Sequence, residues 1–207
     1  MSTTTPDATP RTPRRRLARW TTELLAPWVW VLGLPLAVAW SVTHQPGPTL
    51  LWGLIVGITG SVIPMVVIVR GARRGAWDSH HVNNREGRVV PFAACVSSLA
   101  LGWVALALGD APDQMIALTA AMFATLVVAV VVTFTAHWKV SMHAAVAAGA
   151  TIILMVTYHP LIALALGPAV LLVCWSRVEL RDHTTAQVLI GAALGVLVGG
   201  GLYWLLA

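Results

Sequence analysis

The sequence predicts an all-α fold, a polytopic transmembrane helical bundle of about six to seven spans. Three observations predict it. Of the 207 residues, 57% are hydrophobic and only 10% are charged, where a soluble domain carries roughly 25% charged residues. Mean hydropathy is +0.79. The apolar residues fall into runs near the ~20 residues that cross a bilayer, separated by short polar connections.

The elements follow in order. Residues 1–19 are rich in Thr, Pro and Arg, and no short apolar run after their charges marks a signal peptide. Residues 1–22 are therefore expected to form a disordered basic cytoplasmic tail, and 23–207 a single transmembrane domain. Seven apolar segments are candidates to cross the bilayer: 24–42, 50–69, 90–109, 115–136, 141–158, 161–175 and 188–206. The fifth and sixth are near the short limit. The last carries Gly191, Gly195 and Gly199 at four-residue spacing. That spacing puts them on one helix face, where they are expected to let a neighbouring backbone approach inside the bundle.

The connections alternate in charge. "THQPGPT", "DAPDQ" and "HP" contain no Lys or Arg, so all 13 basic residues fall on the other face. The positive-inside rule places that face in the cytoplasm and the C-terminus outside. The expected location is a cytoplasmic membrane of bacterial type. The expected partners are the bilayer and a lipid substrate, with no nucleic acid. Cys95 and Cys174 lie in separate apolar segments and read as small buried side chains, not as a disulfide or a metal framework.

Ionisable chemistry collects on the basic face. Three connections meet there: "WDSHHVNNREGRVVP" (77–91), "HWKVSMH" (137–143) and "SRVELRDHTTAQ" (176–187). They bring five of the seven histidines, namely His80, His81, His137, His143 and His183. No tight ligand spacing among them supports a metal site. Arginine forks match phosphate oxygens, and helix N-termini add free N–H groups and partial positive charge. Two helices are expected to begin near His143 and His183, so the anion that best fits this face is a phosphoryl group.

The three stretches resemble the signatures of the type 2 phosphatidic acid phosphatase superfamily, which includes lipid phosphate phosphatases and vanadium haloperoxidases. Ser176-Arg177, five residues, then His183 looks like the third signature. "VSMH", ending at His143, looks like the second, usually Pro-Ser-Gly-His. "HVNNREGRV", from His81 through Arg88, looks like the first, usually Lys, six residues, then Arg-Pro. Arg88, Ser141, His143, Ser176, Arg177 and His183 match. Five positions depart: His81 for Lys, Val89 for Pro, Val140 for Pro, Met142 for Gly and Gln187 for Asp. Two apparent spans between the first and second signatures also depart from the family pattern.

The resemblance implies a PAP2-like core and a metal-independent phosphatase. His183 would attack phosphorus and form a phosphohistidine. His143 would protonate the leaving group and then help activate water. Arg88 and Arg177 would hold the equatorial oxygens, where charge accumulates in the transition state. Lys139, Ser141, Ser176, His81 and Arg85 would complete the phosphate site. The family's orienting acid is replaced by Gln187, with Glu179 and Asp182 as nearby candidates to stand in. Arg177 and His183 are six apart, roughly 240° around a continuous helix, so the chain is expected to break between them.

The expected function is a membrane hydrolase removing phosphate or diphosphate from an isoprenyl diphosphate or phosphatidate, without a cofactor. Two alternatives accompany it. One is an isoprenyl-diphosphate-utilising cyclase or transferase on the same scaffold, with Asp78 and Glu86 holding Mg²⁺ on the diphosphate and tryptophan rings sheltering a cation. The other is a non-catalytic lipid-phosphate-binding membrane protein.

Overall fold

The computed structural model describes residues 12–75 and 89–207 of the chain. Proline sets the first three helix starts, because its ring fixes a helical φ and its missing N–H has no partner in a first turn anyway. Helix α1 runs Pro13–Leu24, α2 Pro27–Thr43 and α3 Pro46–Gly57. A π-helical turn, Ile58–Val62, carries α3 into α4, Ile63–Arg73. Then come α5, Val89–Leu108, α6, Asp113–Thr135, α7, Met142–Thr157, and α8, Leu161–Glu179. Helix α9, Thr185–Leu194, passes through a second π-helical turn, Gly195–Gly200, into α10, Gly201–Leu206. No strand occurs among the described residues.

The protein is an all-α polytopic bundle, with six helices among the described residues long and apolar enough to cross a membrane. Each of the seven expected segments falls on a helix. The short one is the fifth: α7 has 16 residues and is about 24 Å long, less than a hydrocarbon core of about 30 Å. The sixth is longer than expected, because α8 continues past Trp175 to Glu179. The tail also differs. From Pro13 onward it is helical, with Thr12 as the N-cap accepting from the Arg15 amide.

Helix α7 is the centre of the bundle, packed against α2, α8, α9 and the second π-helical turn. Its sequence explains this. His143, Ala144, Ala145, Ala147, Ala148, Gly149, Ala150, Thr151 and Ile153 are all buried, and mostly small side chains let neighbours close in on every side. The glycine face of the last span meets it. A Cβ on Gly191 would lie 2.6 Å from the Ser141 carbonyl oxygen, and one on Gly149 would lie 3.0 Å from that of Gly195. The stripe therefore packs inside the bundle. Cys95 and Cys174 are free thiols.

Candidate functional site

The stretch 176–187 folds as a helix end, a tight loop and a helix start. Helix α8 stops at Glu179, and the amides of Asp182 and His183 both donate back to the Arg177 carbonyl oxygen, at 3.1 and 3.2 Å. Arg181 takes the left-handed conformation, φ +61°, that turns the chain. Thr184 then caps α9 in a reciprocal capping box with Gln187. This break lets Arg177, at the end of one helix, and His183, at the start of the next, line the same cavity.

That cavity has a volume of about 260 Å³ and a polar end formed by Glu23, His143, Arg177 and His183. Apart from Thr125, the rest of its wall is apolar and follows α7 down to Ile153, about 15 Å of helix rise from His143. Gly60 and Gly199, one from each π-helical turn, belong to the wall. Such turns locally widen a helix and recur at functional sites.

Arg177 dominates the polar end. Its side chain is only 1% exposed, and Nη2 pairs with Asp182 Oδ2 at 3.0 Å. Asp182 and Glu23 offset its charge electrostatically. Nε and Nη1 are buried and have no hydrogen-bond partner among the described residues. Two unmatched guanidinium nitrogens, which carry three N–H groups, are costly out of water, and a bound oxyanion would supply acceptors to them.

The two histidines arrive on helix starts. Ser141 caps α7, its hydroxyl accepting from the Ala144 amide at 3.5 Å, so His143 sits in the first turn. His183 Nδ1 lies 3.2 Å from Gln187 Oε1, which also accepts the Thr184 amide at 3.1 Å. The backbone donor identifies that atom as the amide oxygen, so His183 must donate from Nδ1. In the neutral ring, Nε2 then carries the lone pair.

Other predicted residues take structural positions. Ser176 donates to the Val173 carbonyl at 2.8 Å and accepts from Thr22 at 3.0 Å. Lys139 Nζ donates to the Asp182 carbonyl at 2.7 Å, tying the loop to the start of α7. Glu179 does not orient His183: it forms an ion pair with Arg14 at 2.9 Å on the outer side of α8. Asp182 binds Arg177 instead, which leaves Gln187 as the side chain against Nδ1. His81, Arg85, Arg88, Asp78 and Glu86 lie outside the described residues. Among the described residues no three His, Cys, Asp or Glu side chains cluster as a metal would need.

One member of the polar end was not anticipated. Glu23 stands at the start of the first apolar segment and faces the cavity. Its signal is in the sequence, since it is the only acid between Asp7 and Asp78. Its meaning depends on α1 packing across α8, which no local pattern reveals.

No protein-family model matches the chain, and no curated protein or solved structure matches it.

Proposed function

We propose that the protein is a membrane-embedded hydrolase that removes phosphate or diphosphate from a lipid, with His183 as the nucleophile. One observation carries this reading: a buried arginine whose Nε and Nη1 have no hydrogen-bond partner among the described residues lines a cavity that also takes two histidines. The apolar remainder of the cavity suits a lipid tail, which extends the choice from free phosphate to a lipid phosphate. In the proposed reaction Arg177 holds the phosphoryl oxygens. His183 Nε2 forms the N–P bond as the P–O bond to the leaving group breaks. His143 gives that oxygen its proton, then accepts one from the water that cleaves the phosphohistidine. The resemblance to type 2 phosphatidic acid phosphatases supports the same roles and adds Arg88 as a second oxygen clamp. The active face is proposed to be cytoplasmic.

A second reading has its own observation. Trp28, Trp30 and Phe92 line the cavity, and aromatic faces stabilise cations. A cyclase or transferase that ionises a prenyl diphosphate would use them. Purified protein incubated with farnesyl, geranylgeranyl and polyprenyl diphosphates and phosphatidate, with and without EDTA, tests both readings. Phosphate release that survives EDTA supports the hydrolase. EDTA-sensitive release with a rearranged hydrocarbon product supports the alternative. Binding without turnover would leave a lipid-phosphate-binding protein.

A further inference from the structure

Helix α1 presents three faces, at 100° per residue. Ala18, Thr21 and Thr22 are buried against the bundle. Arg16 and Arg19 lie on a second, exposed face, which ends at Glu23 one turn further on, where the helix reaches the cavity. Leu17, Trp20 and Leu24 form a third, and they are 57, 64 and 65% exposed.

Its placement follows from its contacts. Thr22 hydrogen-bonds Ser176, and the Arg14 guanidinium lies 6.0 Å above the ring of the adjacent Trp175. The two α1 residues are about 12 Å apart along their helix, while their α8 partners, Ser176 for Thr22 and Trp175 and Glu179 for Arg14, span about 6 Å of rise. Helix α1 therefore crosses the end of α8 and does not run along it. The chain also bends between α1 and α2, where Leu25 leaves the helical region and Ala26 is extended, ψ 151°. The stretch Pro13–Thr43 covers 31 residues, of which α1 takes 12 and α2 takes 17, roughly 44 Å of helix, well beyond a core of about 30 Å. The surplus lies at the end that carries Arg70, Arg73 and Arg74.

We infer that α1 lies in the headgroup plane of an anionic leaflet, with Leu17, Trp20 and Leu24 in the acyl boundary and Arg16 and Arg19 on the lipid phosphates. A crossing helix with an apolar face beside a cationic one is built for that plane, and anionic headgroups supply the complementary charge. The same helix bears Glu23 at the cavity, so the polar end of the cavity opens at headgroup depth. None of this depends on the hydrolase reading.

The test uses the full chain with Cys95→Ala, Cys174→Ala and Trp20→Cys, labelled at residue 20 with an environment-sensitive fluorophore. The protein is placed in phosphatidylcholine nanodiscs with or without phosphatidylglycerol. Quenchers are aqueous iodide and lipids spin-labelled at shallow or central acyl positions. In anionic discs the shallow lipid label is expected to quench most strongly, with iodide several-fold less effective than on free dye. Removing phosphatidylglycerol, or adding Arg16→Ser with Arg19→Ser, should restore iodide access. Free iodide access in both mixtures, equal protection in both, or strongest quenching from the bilayer centre overturns the assignment. Protection lost at a single copy per disc also overturns it and gives the face to a second copy of the chain.

Discussion

Gln187 Oε1 stands 3.2 Å from Nδ1 of His183 and 3.1 Å from the amide nitrogen of Thr184. A single neutral oxygen thus fixes the tautomer of the proposed nucleophile and caps the helix that bears it. An acid here would fix the same tautomer and also stabilise the charged imidazolium.

Gln187→Glu keeps the shape and the capping box, since glutamate serves equally at that position. The added carboxylate favours protonated His183, so the nucleophile is lost at a higher pH. The acid limb of the kcat/KM profile is expected to move up by roughly one to two pH units. Gln187→Ala removes both roles, losing the N3 half of the capping box and lowering kcat. Glu179→Ala loses only a partly exposed ion pair and should leave the rate within about twofold. An unmoved acid limb in Gln187→Glu would remove His183 from the rate-limiting step.

His183→Ala is expected to lower phosphate release by about a thousandfold or more, as loss of a covalent nucleophile does. Acid-labile ³²P label on the wild-type protein, absent from the variant, would accompany the loss. Full phosphate release by the variant sinks the covalent mechanism.

Arg177→Lys keeps the charge and loses the fork. An ammonium cannot offer the paired, planar donors that Nε and Nη1 provide, so kcat/KM should fall about a hundredfold. The variant also weakens the hold on Asp182, so thermal unfolding is measured beside the kinetics. Intact stability with lost turnover is the expected pattern.

The sidedness of the bundle has its own readout. A reporter fused after Ala207 should score as extracytoplasmic, because seven crossings separate it from the basic end. A cytoplasmic score would mean that the short α7 enters and leaves by one side.

Much of this architecture is legible in the residues. The apolar runs, the prolines at helix starts and the one-sided arginines give the spans and their alternation, because length and hydropathy act locally in a bilayer. The break between Arg177 and His183 is legible too, from helical geometry once the resemblance is taken to put both residues in one site. Less legible are the long-range partners. Arg14 takes Glu179 and Thr22 takes Ser176, and both pairings depend on how α1 packs on α8, while Asp182 takes Arg177 through the local loop. The centrality of α7 is also hidden, since its apolar run looks like any other until its small side chains are seen wrapped by neighbours.

The contact between α7 and α9 has one more consequence. Ser141, Ala145 and Gly149 meet Gly191 and Gly195 through backbone atoms, and a Cβ on Gly195 would run into the Ala145 carbonyl. These two helices present His143 and His183 at their starts. The spacing of the reactive ends is thereby tied to the bare thickness of polypeptide, a dimension that exchanging side chains cannot tune finely. The apolar stretch of the cavity is walled by side chains such as Val31, Leu99 and Ile153, whose size any single substitution alters. Under the proposed reading, substitutions in that wall would alter which lipid tail is taken while the head of the site keeps its measure.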